Sequence, residues 1–436
     1  MRMLWSGLAL FLVSSLPALC QDSPMFRGNL RRTGVYDAAG VPAFSRVKWT
    51  FHAQGQIISS PAVVGDMIYV GSTGGIFYAI DRETGTPRWK FDAKSRIASS
   101  PAVAGGQIYF GAYDGSFFAL DAATGQQRWK FSTGGERRFE AKHLHGSTPA
   151  AEIMPDPWDC YLSSPAVVNG VVYFGSGDGR VYALDAATGA LKWKFATGDV
   201  VHASPAIADG TVYIGSWDSY FFALDAATGK ERWRFKTGDD ADTHNQTGIQ
   251  SSAAVEDGVV YFGCRDSHLY ALNAATGAKM WAISTKGSWV VVSPAVSGGK
   301  VYFATSDTGL LFGVDAKTGA QALSLTFHGW PTFSSPAIAG HTLYVGSTAG
   351  RFNAVDLASG KLAWSFTTEA SRQNAPALTK ADGTADFDTP FASDFYDDMM
   401  AGYAKLLTVG PILSSPVVAG NAVYFGGTDG NLYALM

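Results

Sequence analysis

The sequence predicts an all-β protein: an eight-bladed β-propeller of four-stranded antiparallel blades. Three observations carry this expectation. A serine before a proline recurs at Ser60, Ser100, Ser164, Ser204, Ser293, Ser335 and Ser415, and Ser252 holds the same place in a Ser-Ser-Ala variant. The shortest steps, Ser60 to Ser100 and Ser164 to Ser204, are 40 residues, enough for four short strands and their turns. The eighth unit stops at Tyr433-Ala434-Leu435-Met436, before any fourth strand, whereas an orphan fourth strand, Val47-Lys48-Trp49-Thr50-Phe51, precedes the first unit. This N-terminal strand should complete the last blade, closing the ring and removing exposed sheet edges.

The chain divides in order. Residues 1–20 read as a signal peptide: an apolar run from Leu4 to Leu19 follows Arg2, and Ala18-Leu19-Cys20 offers small residues at the cleavage positions before Gln21. Lipid attachment at Cys20 usually needs a small preceding residue, and Leu19 is large, so cleavage is favoured over an anchor. No other stretch is long and apolar enough for a membrane span. An N-terminal segment, 21–45, leads into the propeller, 46–436. The expected location is periplasmic or secreted.

Within a unit, strand A is the Ser-Ser-Pro-Ala-Val segment and strand B is Val-Tyr-Phe-Gly after a Gly turn. Strand C is Tyr-Ala-Leu-Asp, and strand D carries a tryptophan. The Asp-Ala-Ala-Thr-Gly element between C and D is a turn, because Asp and Thr bond turn amides and Gly takes positive φ. Asp81, Asp121, Asp185, Asp225, Asp315 and Asp356 are therefore turn builders rather than catalytic carboxylates, with Asn273 as the blade-five copy. Trp49, Trp89, Trp129, Trp193, Trp233, Trp281 and Trp364 are expected to pack between blades; Leu323 replaces the tryptophan in blade six.

A net charge of −4 with no basic run argues against a nucleic-acid partner. Two cysteines, Cys160 and Cys264, remain after cleavage; an oxidising compartment permits a disulfide, and two separate thiols are equally compatible with the sequence.

The pattern Tyr-Ala-Leu-Asp-Ala-Ala-Thr-Gly-x-x-x-Trp resembles the repeat of pyrroloquinoline quinone (PQQ) enzymes and their non-enzymatic relatives, over the span from Arg46 to Met436. Phe26-Arg27-Gly28-Asn29 with Arg32-Thr33-Gly34 is similar to the segment that precedes many such propellers. The resemblance implies either a quinoprotein dehydrogenase, with PQQ and calcium, or a non-catalytic BamB-like assembly propeller. Fold alone does not choose between them. The adjacent-cysteine disulfide of many alcohol-oxidising members is missing, and no Cys-x-x-Cys-His is present to attach a haem.

Function must be read from the interruptions. The steps from Ser100 to Ser164, Ser204 to Ser252 and Ser335 to Ser415 are 64, 48 and 80 residues, placing insertions near 135–161, 238–250 and 368–412. All lie between strand D and the next strand A, so they crowd one face of the disc. Of the eight histidines, His52, His143, His145, His202, His244 and His328 map to D–A connections and His268 follows a B–C turn, whereas His341 lies on the opposite face. Trp158, Trp217, Trp289, Trp330, Cys160 and Cys264 share the insertion face.

The residues of this face are compatible with several chemistries. His143-x-His145 with Cys160, His202 and His244 has zinc- or copper-type ligands but no diagnostic spacing. Asp382, Asp386, Asp388, Asp394, Asp397 and Asp398 could supply calcium oxygens, though not in EF-hand order. The interleaved Phe387, Phe391, Phe395 and Tyr396 suggest that the last insertion packs on the propeller. A quinone would need a stacking floor, Trp217 or Trp289, and cations from Arg96, Arg137, Arg138, Arg265 or Arg372. A small-molecule pocket is expected at the channel mouth near Trp217, Arg265, Trp289 and His202. The sequence thus points to a scaffold that binds a protein or small ligand through its insertion face, with a PQQ-dependent alcohol or sugar dehydrogenase as the alternative.

Overall fold

The computed structural model describes residues 22–238, 247–391 and 393–436. Residues 1–20, expected from the sequence to be a signal peptide, lie outside them, Cys20 included, as does His244. Eight antiparallel sheets succeed one another around an axis, each in the order A-B-C-D. Blade one comprises Ala62–Val64, Met67–Gly71, Ile76–Asp81 and Pro87–Asp92. Strands A are buried and adjoin one another at the centre, whereas strands D alternate exposed and half-buried residues at the rim. Blade eight takes strands A to C from Val417–Ala419, Ala422–Gly426 and Asn431–Leu435, and its fourth strand is Val47–His52. Ring closure therefore follows the expectation from the two chain ends.

The repeat residues hold neighbouring blades together. Asp81 Oδ1 accepts from the amides of Glu83 and Thr84 and from the Thr84 hydroxyl, while Gly85 donates to the Asp81 carbonyl. The Arg88 hydrogen bond to Asp81, with the Thr84 bonds, lowers the carboxyl pKa to about 2. The Trp49, Trp89, Trp129, Trp193, Trp233 and Trp281 indoles each donate to a backbone carbonyl in the next blade's C–D turn. Trp364 finds no such turn in blade eight and donates instead to Val41 of the N-terminal segment. Stacked rings reinforce the seams, such as Phe77 on Phe110 at 4.3 Å and Phe117 on Phe174 at 3.9 Å. At the centre, each strand-A serine donates its amide to the serine hydroxyl of the next blade, closing a circle from Ser60 through Ser415 back to Ser60.

The N-terminal segment does more than lead into the ring. Its carbonyls at Ser23, Pro24, Leu30, Arg31, Thr33 and Gly34 accept the inner-edge amides of Val63, Val103, Ile207, Val255, Val296 and Ile338. A two-residue strand, Val35–Tyr36, pairs in parallel with strand A of blade seven. The segment thus circles the channel, satisfying strand-edge amides that would otherwise lack partners.

Candidate functional site

The insertions form a continuous layer over one face. The first contains a small hairpin, Glu140–Lys142 against Ile153–Pro155. The last carries α1 (Glu369–Asn374), N-capped by Thr368, and α2 (Tyr396–Leu407). The two meet where Thr148 bridges Phe395 and the Tyr396 hydroxyl donates to the Pro155 carbonyl at 2.6 Å. Trp158 lies flat on Phe333 (4.9 Å, 6° between planes) and edge-on to Tyr403. The last insertion therefore packs on the propeller, as its interleaved aromatic residues suggest.

Beneath this layer, Trp217, Arg265 and Trp289 come together. The Arg265 guanidinium sits between the two indoles, 4.3 Å from each ring centroid. Phe139 stacks on Trp217 at 4.4 Å, and His145 lies 5.1 Å from Trp289. Arg265 Nη1 donates to Asp156 Oδ2 at 2.5 Å, and Nε and Nη2 donate to Gln250 Oε1. The other oxygen of Asp156 meets His145 Nε2 at 3.1 Å and accepts the Trp158 amide. Burial alone would raise the Asp156 pKa, but Arg265 and His145 hold it well below the usual carboxylate range.

His202 stands in a separate network. Its Nδ1 lies 2.7 Å from Asp159 Oδ1 and its Nε2 3.4 Å from Glu136 Oε2. Asp159 also accepts the Phe139 amide. Burial would lower the imidazole pKa, but the Asp159 and Glu136 carboxylates outweigh it and raise it to about 10. Glu136, Asp156 and Asp159 escaped the sequence reading. Their only signal was acidity in an insertion facing a sparse set of arginines and histidines.

The remaining candidates stay apart. Arg137 pairs with Asp199, Arg96 covers Tyr113, and Arg372 pairs with Glu369. His143 bonds the Ser147 carbonyl. Asp382 and Asp386 build local turns, Asp388 meets Lys380, and Asp398 bonds Ser393. Among the described residues, no three His, Cys, Asp or Glu side chains group as ligands for a metal ion. Cys160 and Cys264 are free, buried thiols, and burial raises the Cys160 pKa to about 12.

An open pocket of about 720 Å³ adjoins the stack, between the last insertion and the blade-five and blade-six loops. Trp158, Trp289, Phe333, Phe387 and Phe391 wall it, and Asp307 and Asp394 supply its carboxylates. Trp289 borders this pocket; Trp217, Arg265 and His202 do not line it. PQQ, a planar anionic quinone, would require cationic contacts and a divalent ion. The lining contains no Lys or Arg among the described residues, and Arg265 is committed to Asp156 and Gln250. This donor set does not fit the quinone.

The family model described as "Outer membrane protein assembly factor BamB" matches residues 39–160, 156–288 and 222–435. No curated protein sequence matches the chain. Among solved structures, BamB from Moraxella catarrhalis is 18% identical, covering 90% of this chain and 100% of its own, with a TM-score of 0.66. A europium-containing methanol dehydrogenase is 16% identical, covering 95% of this chain and 98% of its own, with a TM-score of 0.67. Quinohemoprotein alcohol dehydrogenase from Comamonas testosteroni is 16% identical, covering 95% and 80%, with a TM-score of 0.66. At these identities the structural likenesses carry the fold alone.

Proposed function

As the chain belongs to the family described as outer membrane protein assembly factor BamB, with its PQQ-type repeats, we propose that it works as an exported binding module rather than as a dehydrogenase. Its ligand is a protein segment that seats an apolar or aromatic side chain, flanked by a basic residue, in the ring-lined pocket. The observation that carries this reading is the pocket itself: five aromatic walls with two carboxylates on the lining. Aromatic walls reward burial of an apolar group, and the carboxylates favour a cationic neighbour over an anionic one. Phe395, 52% exposed on the same insertion, extends the apolar surface outward. Export is supported by the apolar run of residues 4–19 behind Arg2.

The test uses the intrinsic fluorescence of Trp158 and Trp289. Short peptides pairing Phe or Leu with Arg are titrated against the same peptides carrying Glu, alongside PQQ with calcium and a dye-linked alcohol oxidation assay. Saturable quenching by the basic peptides, weakened in Phe387→Ala and Asp394→Asn, supports the reading. Equal binding of both peptide sets removes the charge argument. Quenching by PQQ with alcohol turnover replaces the binding module with the alternative, a PQQ-dependent alcohol or sugar dehydrogenase.

A further inference from the structure

A second cavity, about 40 Å³, lies on the propeller axis within the serine circle. All eight ring serines line it, from Ser60 to Ser415, with Phe26 of the N-terminal segment and Tyr161 and Phe333 among its other walls. The Tyr161 hydroxyl reaches the carbonyls of Phe333 and Leu413, drawing the insertion-face end together. Every ring hydroxyl accepts one amide N–H at 2.8 to 3.1 Å. Among the described residues none of these eight hydroxyls donates to a protein acceptor. A serine hydroxyl carries one hydrogen to donate besides its accepting lone pairs. The cavity wall therefore holds eight donors without an acceptor.

Two positive charges stand beside these donors. Arg27 and Arg32 are 1% and 0% exposed. Arg27 donates to the carbonyls of Pro336 and Pro294, and its Nε has no partner. Arg32 donates to the carbonyls of Pro205, Phe26, Ser164 and Pro165. Ser164 is itself a ring member, and each of these prolines directly follows one. No carboxylate pairs with either guanidinium among the described residues; neutral carbonyls and the Phe26 ring are the partners they have. Burial lowers their pKa values to about 10 and about 9, with Arg27 adding to the effect on Arg32, so both stay protonated at neutral pH. Buried charge without a counter-charge is costly.

We propose that the axial cavity is a site for a small monovalent anion of halide size. Donors without acceptors and cations without carboxylates are complementary to one ligand class: the hydroxyls line the cavity, and the guanidinium groups stand just behind that lining, on carbonyls of the ring serine Ser164 and of the prolines that follow ring serines. A void of roughly 10–15 Å³ admits one water, so about 40 Å³ holds a halide with a water or two. A multi-ring quinone is far too large for it. The serine hydroxyls and any retained water supply the hydrogen bonds, and Arg27 and Arg32 supply the charge. The anion is thus a structural ligand, bound where the N-terminal segment meets the inner ends of the blades.

The test is crystallographic and thermodynamic. Crystals of the mature protein are soaked in sodium bromide and measured above the bromine absorption edge. The melting temperature is followed while chloride replaces gluconate at constant ionic strength. The site predicts an anomalous peak on the axis inside the serine circle, together with a saturable rise in melting temperature. Arg27→Met should weaken both; should that variant fail to fold, the unaltered protein still decides. Ordered water without a bromide peak overturns the proposal. So does a peak with no dependence of melting temperature on the anion, which would mark an adventitious ion only.

Discussion

Arg265 Nη1 and Asp156 Oδ2 sit 2.5 Å apart, both side chains wholly buried, although 109 positions separate them in sequence. The pair ties blade five to the first insertion. The same guanidinium is held between Trp217 and Trp289. Removing one partner strands a buried charge, which costs about 3–5 kcal/mol. Asp156→Ala should lower stability by that amount in denaturant unfolding. Asp156→Leu combined with Arg265→Met should recover much of the loss, because neither charge then remains. A double variant no better than the single would show that the pair does not set the stability of this face.

His202 gives a pH signature. Its folded pKa is about 10, above the ordinary 6.5, because Asp159 and Glu136 outweigh burial. A raised folded pKa contributes stability that is fully present below the unfolded value and is lost as pH rises through the folded value. The stability difference between the native protein and His202→Gln should be constant below pH 6.5 and shrink as pH rises through about 10. Nitrogen chemical shifts should report an imidazolium at about pH 8, where an ordinary histidine is neutral. A neutral ring at that pH would refute the network as drawn.

The turn glycines offer a matched pair. A Cβ on Gly125 would lie 2.5 Å from the Trp89 ring of the preceding blade, whereas one on Gly105 would meet nothing within 4 Å. Both have positive φ, +72° and +57°. Gly105→Ala should therefore cost only the left-handed strain, about 1–2 kcal/mol. Gly125→Ala should add an overpacking cost of about 1–3 kcal/mol. Equal losses by calorimetry would mean that the tryptophan seam yields freely.

The propeller was legible because each blade repeats the same local instructions, from the serine before proline to the Asp-x-x-Thr-Gly turn and the strand-D tryptophan. Ring closure was legible from the orphan strand Val47-Lys48-Trp49-Thr50-Phe51. The grouping of Trp217, Arg265 and Trp289 was legible from their shared face: Trp217 and Arg265 hold the same B–C loop position in blades four and five, and Trp289 lies in the D–A connection that follows. What binds them, Asp156, comes from an insertion with no repeat to compare against, and a long-range ion pair leaves no periodic trace. The path of residues 22–41 was hidden for a related reason. Those residues bond backbone edges, which every sequence possesses and none advertises.

The pairing of Val47–His52 with Asn431–Leu435 also sets a clock. The contact joins residues nearly a full chain length apart, giving the ring a large contact order in its final seam. During synthesis, the first outer strand waits for the last inner ones. Seven blades can form in sequence by local pairing, but the circle is buckled only once its final strand has been delivered. Until then the chain carries two open sheet edges, and quality control has its longest opportunity to act.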